Sequence, residues 1–153
     1  MIIWLTGQPG SGKTTLANSI IKSLKQDDEY IKIINLDGDD LRNINKNKDY
    51  SKKGRIKNIS TAISIIRFLG SKGYLCVVSI VAPYRFLRDE LKSEFSFLEV
   101  YLHTTEIRGR ENFFAKDYEI PLEKHLSIDT GKLGIEECTN EILNVYRKMA
   151  TVA

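Results

Sequence analysis

The stretch Gly7-Gln8-Pro9-Gly10-Ser11-Gly12-Lys13-Thr14-Thr15 decides how this chain is read. Before it stands the short apolar run Ile2-Ile3-Trp4-Leu5; after it, Leu16, Ile20, Ile21 and Leu24 recur at helical spacing. A strand, a glycine-rich turn and a helix therefore follow one another, and the turn fits G-x-x-x-x-G-K-[ST]. Its glycines let consecutive backbone N–H groups curl around phosphate oxygens, and the helix N-terminus adds a dipole that favours anions. Lys13 is placed to reach the β- and γ-phosphates and the Thr14 hydroxyl to hold Mg²⁺, with Gly7, Gly10, Ser11, Gly12 and Thr15 completing the cradle. The residues point to a bound nucleoside triphosphate.

Outward from this loop, strand and helix signals alternate, as in a parallel α/β sheet. Residues 31–36 read as a second strand closed by Asp37-Gly38, and residues 43–53, with three Asn and four Lys, as an exposed loop. Ile56, Ile59, Ile63, Ile66 and Leu69 predict a helix, 74–81 a central strand, and Leu87 and Leu91 a short helix after Pro83. A strand over 97–102, a short one over 126–128 and a final helix carrying Ile135, Cys138, Ile142, Val145 and Met149 complete the order. Residues 106–123 carry no readable pattern. No repeat or linker interrupts the chain, so one domain over 1–153 is expected.

Composition narrows the classes further. The chain has 153 residues with 23 Lys+Arg against 20 Asp+Glu, a net charge of +3 that is too small to imply nucleic acid by itself. No apolar run approaches the roughly 20 residues a membrane helix needs, and Met1-Ile2-Ile3-Trp4 lacks the basic start of a signal peptide. Cys76 and Cys138 form no metal-spaced cluster, so two reduced thiols and a cytoplasmic location are expected. His103 and His125 have no ligand-spaced companions and read as packing or surface residues. A GTPase switch is disfavoured: none of the ten glycines has Asp three positions earlier, and in Asn45-Lys46-Asn47-Lys48-Asp49 the carboxylate comes one residue late.

The second strand ends Leu36-Asp37-Gly38-Asp39-Asp40-Leu41-Arg42, at the edge where doubly wound sheets bind ligands. A carboxylate there can hold Mg²⁺ or accept a proton from a hydroxyl; Asp39 or Asp40 can equally cap a surface helix. Together with Gly7 to Thr14, with Arg55-Ile56-Lys57-Asn58-Ile59, with Ala82-Pro83-Tyr84-Arg85 and with Ile128-Asp129-Thr130, this segment resembles, in order and approximate spacing, the adenylylsulfate kinases. These enzymes use MgATP to phosphorylate the 3′-hydroxyl of adenosine 5′-phosphosulfate. The resemblance spans nearly the whole chain and implies a P-loop kinase fold, a five-stranded parallel sheet flanked by helices, with a short mobile lid.

The same resemblance casts Asp39 as the carboxylate beside the acceptor hydroxyl, as general base or through Mg²⁺, and Lys13 as its catalytic counterpart on the ATP side. Arg42, Arg55 and Asn58 look like the groups that hold the acceptor's phosphate end. Tyr50 and Phe113 look like the aromatic pair around the acceptor base, although Phe113 and Phe114 could instead plug a core. Pro83, Tyr84 and Arg85 fall on the acceptor side, where Arg85 could equally cap a helix. Arg108 and Arg110 are lid candidates for the phosphoryl group, or solvated loop charges, and Asp129 lies near the ATP adenine or shapes a turn. The implied partners are ATP, Mg²⁺ and a small nucleotide acceptor, with no nucleic acid, no membrane, and a homodimer left open.

The chain also departs from that family. Ala82 stands where Ser is common, Ser60-Thr61 where two arginines are usual and Glu111 where Lys is typical, and the lid over 106–121 is shorter by several residues. Positive charge is thereby lost around the acceptor site or lid. A related group with this fold phosphorylates cytidine diphosphoramidate in capsule modification, which makes that nucleotide the alternative acceptor. An ATP-binding regulatory module without catalysis is the alternative from another class.

Overall fold

The computed structural model describes residues 1–152. Its elements are β1 (Ile2–Thr6), α1 (Lys13–Asp27), β2 (Ile33–Asp37), α2 (Gly38–Asn45), α3 (Lys52–Ser71), β3 (Leu75–Ser79), α4 (Arg85–Asp89), β4 (Phe97–His103), a 3₁₀ turn (Glu111–Phe113), β5 (His125–Asp129) and α5 (Ile135–Val152). Five strands form one parallel sheet in the order β2-β3-β1-β4-β5. The expected five-stranded α/β architecture is the observed one.

Strand β1 lies at the centre, so both of its faces must be covered; all five residues are buried, and Ile2 to Leu5 are apolar. Ile2 and Trp4 face a core completed by Ile59, Ala62, Ile63 and Ile66 of α3 and by Leu87 of α4. Ile3 and Leu5 face the opposite core, against Leu16, Ala17, Ile20 and Leu24 of α1 and Cys138, Ile142 and Leu143 of α5. Both cysteines are buried and unpaired, in different cores. The register aligns the carboxyl ends: Leu5 and Asp37 both pair with Ser79, and His103 pairs with Asp129. The loops that follow these ends share one edge of the sheet, with the loop after β1 between those after β3 and β4.

The expected loop over 43–53 is shorter than its composition suggested. Helix α2 runs to Asn45, and α3 already begins at Lys52 under the Ser51 cap, whose hydroxyl accepts from the Gly54 amide. Only Leu41 of α2 is buried, so this helix carries no apolar stripe to betray it. It is started instead by the Asp37 carboxylate, which accepts from the Asp39 amide at 2.9 Å. Neither Asp39 nor Asp40 is the cap.

Between α2 and α3 the chain folds tightly on itself. A β-carbon at Gly54 would fall against the carbonyl and carboxyl carbon of Asp49. Gly54→Ala is expected to cost about 1–3 kcal/mol by displacing that turn, read as a lowered thermal midpoint. An unchanged midpoint would show that the turn yields freely.

Candidate active site

The loop after β1 is built as its sequence requires. Gly12 sits at the α1 N-cap with φ 103°, a conformation that glycine adopts without strain, and no side chain caps the helix. The first amides of α1 are thus left for a ligand. Lys13 folds back over its own loop, its Nζ donating to the carbonyls of Gly7 (3.0 Å) and Gln8 (2.8 Å) and, more weakly, to Ser11 Oγ. Desolvation pulls the ammonium down from 10.5 to about 8, opposed by the carboxylates of Asp37 and Asp39.

This shift has a signed consequence. Between about 8 and 10.5 the unfolded chain binds the extra proton, so stability of the nucleotide-free protein is expected to rise with pH across that window. A triphosphate needs the ammonium form, so ATP affinity is expected to fall as pH rises through about 8. Titration calorimetry across this range checks it; the Lys13→Met protein should lose the dependence. An affinity that stays flat in the unsubstituted protein would contradict it.

Across from the lysine, Asp37 is the hub of the acidic strand end. Its Oδ2 accepts from Thr14 Oγ1 at 2.7 Å and from Ser79 Oγ at 2.9 Å, while Oδ1 holds the Asp39 amide. The sequence reading paired Thr14 with Asp39 as metal ligands; the carboxylate in contact with Thr14 is Asp37, at the last position of β2. Asp39, two residues on, is exposed and lines the cavity, while Asp40 does not. A carboxylate and a hydroxyl make an all-oxygen set that suits Mg²⁺, which takes its remaining ligands from phosphate and water.

The cavity, of about 390 Å³, runs from this loop to α3 and the lid. The phosphate loop and the start of α1 contribute Gly10, Gly12, Lys13, Thr14 and Thr15 to its wall; Tyr50, Arg55, Asn58, Pro83 and Phe113 contribute further lining. As the three-residue spacing required, Arg55 and Asn58 project from one face of α3, and both are buried. Asn58 Nδ2 reaches toward the Gly38 carbonyl, and its buried Oδ1 meets no donor among the described residues. Arg55 donates to the carbonyl of Tyr50 (3.0 Å) and to that of Phe113 (3.2 Å), joining the two aromatic residues from behind. Arg42 lies 4.1 Å over the Tyr50 ring and donates to Asn47 and to the Asp49 carbonyl, so it braces the ring. The Tyr50 and Phe113 rings are 6.3 Å apart and tilted by 54°; a planar base would enter by parting them and turning them parallel. Phe113 and Phe114 are both exposed, so neither plugs a core.

Two acceptor-side expectations are not met in this arrangement. Tyr84 is buried behind the wall, near Phe86 and beneath Lys52, and burial pushes its hydroxyl up to about 12. Arg85 turns away from the cavity to pair with Glu119 and to donate to the Ile120 carbonyl. The backbone at Ala82, with φ 41°, directs the chain so that only Pro83 of this trio reaches the cavity. On the ATP side, Asp129 likewise shapes a turn, its Oδ1 accepting from the Gly131 amide, and does not line the cavity.

The lid arginines lie over the phosphate loop. Arg108 donates to the carbonyls of Gly10 and Thr130, and pairs with Glu106. Arg110 packs its stem against Gly10 and sets its guanidinium 5.5 Å from the Phe113 ring. Thr130, the neighbour of Asp129 in the motif quoted above, donates to the Ser11 carbonyl and fixes the loop from behind. Gln8 does the same for the lid, exchanging two hydrogen bonds with the Ala115 backbone.

Along most of its length the chain is similar to known proteins. The family model described as adenylylsulphate kinase matches residues 1–124. The adenylyl-sulfate kinase of Bacillus velezensis is 31% identical, covering 95% of this chain and 84% of its own length. That of Lactiplantibacillus plantarum is 29% identical, covering 94% and 79%. Among solved structures, the Mycobacterium tuberculosis APS kinase CysC in complex with AMPPNP and APS superposes with a TM-score of 0.80. At 23% identity over 95% of this chain and 96% of that one, it speaks for the fold.

Proposed function

The chain belongs to the adenylylsulphate kinase family, and from that premise we propose that it transfers the γ-phosphoryl group of ATP to the ribose 3′-hydroxyl of adenylyl sulfate, releasing ADP. The observation that carries this reading is a single cavity lined at once by Lys13 and Thr14 of the phosphate loop, by Arg55 and Asn58 of α3, and by Asp39. The groups read as holding donor and acceptor thus share one space, the proximity that phosphoryl transfer needs.

In this reading Lys13 gives up the carbonyls of Gly7 and Gln8 for the β- and γ-oxygens, which the free amides of α1 also receive. Thr14 and Asp37 would hold Mg²⁺, which supplies charge neutralisation at the phosphates. Asp39 orients the acceptor hydroxyl and takes its proton as the oxygen bonds to phosphorus and the bond to ADP breaks. Arg55 and Asn58 hold the acceptor's anionic end; Tyr50 and Phe113 stack on its base, with Arg42 supporting the former. Arg108 and Arg110 add positive charge above the phosphate loop, and the lid keeps out water that would hydrolyse ATP. The buried free thiols fit a reducing, cytoplasmic setting.

The charge losses that favoured cytidine diphosphoramidate fall elsewhere. Ser60 is exposed, Thr61 spends its hydroxyl on the Lys57 carbonyl, and exposed Glu111 accepts from the Arg108 amide. None of the three lines the cavity, whose cationic lining comprises Lys13, Arg42, Arg55, Arg108 and Arg110. An acceptor screen that follows ADP release decides between the readings. Turnover dependent on adenylyl sulfate is the expected result. Dependence on cytidine diphosphoramidate alone would replace the acceptor, and slow hydrolysis indifferent to every nucleotide would replace the enzyme with a binding module.

A further inference from the structure

Behind the acceptor wall lies a fully buried guanidinium that the mechanism above does not use. Arg88 of α4 is 0% exposed. It donates through Nε to Glu99 Oε1 at 2.7 Å, through Nη1 to the Ala82 carbonyl and through Nη2 to the Glu119 carbonyl, both at 2.6 Å. Charge balance alone does not call for this residue. The other oxygen of Glu99 is already held at 2.6 Å by Lys92, which also pairs with Asp89. What Arg88 adds is a rigid fork that reaches two distant carbonyls at once, a geometry that lysine cannot reproduce.

Both carbonyls belong to functional segments. Ala82 has φ 41°, uncommon for any residue with a β-carbon and more so before a proline, and with Val81 and Pro83 it lines the cavity. Such a conformation persists only where its surroundings hold it. Here the Ala82 carbonyl is held by Arg88 and the Val81 carbonyl by Thr6 Oγ1 at 2.7 Å. Glu119 lies near the end of the lid, and its amide donates to the Pro83 carbonyl at 2.8 Å. Tyr118, whose ring lies 5.6 Å from the guanidinium, donates its hydroxyl to Thr6. The cavity wall and the root of the lid are therefore tied to each other through one side chain and its immediate neighbours.

We propose that Arg88 is a positioning residue that couples the root of the lid to the strained Ala82-Pro83 wall, so that the acceptor subsite and the lid hold their shapes together. The inference rests on the acceptor reading above for its kinetic part and on the geometry alone for its mechanical part. Arg88→Lys keeps a charge opposite Glu99 but gives up at least one carbonyl. It is expected to raise the KM for adenylyl sulfate about 10- to 100-fold and to leave the KM for ATP unchanged. Backbone amides in 80–84 and 115–121 should exchange hydrogen faster, with α1 and α5 unaltered. Where Arg88→Lys does not fold, Tyr118→Phe, which cuts only the tie to Thr6, is expected to move the same readouts in the same direction by less.

Equal KM values with unchanged exchange would overturn the proposal. So would faster exchange throughout the chain, which marks a merely structural role, or local loosening without any change in the acceptor KM. If the unsubstituted protein does not phosphorylate adenylyl sulfate, the acceptor reading falls, and the exchange pattern alone still decides the coupling: localised change supports it, and uniform or absent change overturns it.

Discussion

Asp39→Asn is expected to lower phosphoryl transfer by about 10²–10⁴-fold while leaving ATP binding intact. The two properties separate because two carboxylates divide the work at the end of β2. Asp37 is engaged from three sides, by Thr14, Ser79 and the Asp39 amide. It therefore shapes the metal and phosphate side and starts α2. Asp39 makes no such contacts, is exposed, and faces the cavity from the first turn of that helix. Asparagine keeps its size and leaves the Asp37 cap untouched, but it cannot accept a proton. Transfer measured as acceptor-dependent ADP release, beside ATP binding by calorimetry, checks the separation. Near-normal turnover would remove Asp39 from the chemistry.

Lys13→Ala is expected to reduce kcat/KM by at least about 10²–10³-fold, and it is expected to do so without loss of stability. The ammonium satisfies itself with the carbonyls of Gly7 and Gln8 in a site that disfavours its charge, as its fall to about 8 records. Removing it costs the folded protein a few hydrogen bonds and relieves a desolvated charge. It costs the reaction its direct contact with the transferred group. A thermal midpoint held or raised, together with lost turnover, is the expected pair of results. An active variant would overturn the role of the loop, and an unfolded one would overturn the account of the lysine as a strained, function-first residue.

The parts of the site visible in the sequence are those that local patterns enforce. The strand, loop and helix from Ile2 to Asp27 were legible because glycine spacing and apolar periodicity agree over a short span. Arg55 and Asn58 were singled out by the family resemblance, and helical spacing then put them on one face. Helix α2 was open only as an alternative, and with the wrong cap, because its start depends on the Asp37 side chain and only one of its residues is buried. Asp37 was passed over for Asp39 because sequence order does not say which of two neighbouring carboxylates turns toward Thr14. The directions of Tyr84 and Arg85 follow from the backbone at Ala82 and from Glu119, 34 positions beyond Arg85, contacts that no local pattern contains. The displaced charges at Ser60, Thr61 and Glu111 show the same limit. They could be counted in the sequence, but only the fold shows that they lie off the cavity.

The central claim is most directly tested by the fate of the γ-phosphoryl group. Incubation with γ-labelled ATP, Mg²⁺ and adenylyl sulfate, followed by chromatography and mass analysis of the nucleotides, reads where the label goes. The expected product carries the label as a phosphate on the ribose 3′-oxygen of adenylyl sulfate, one per ADP released, and does not form with the Asp39→Asn protein. Label recovered only as inorganic phosphate, at a rate unaffected by adenylyl sulfate, would contradict the account.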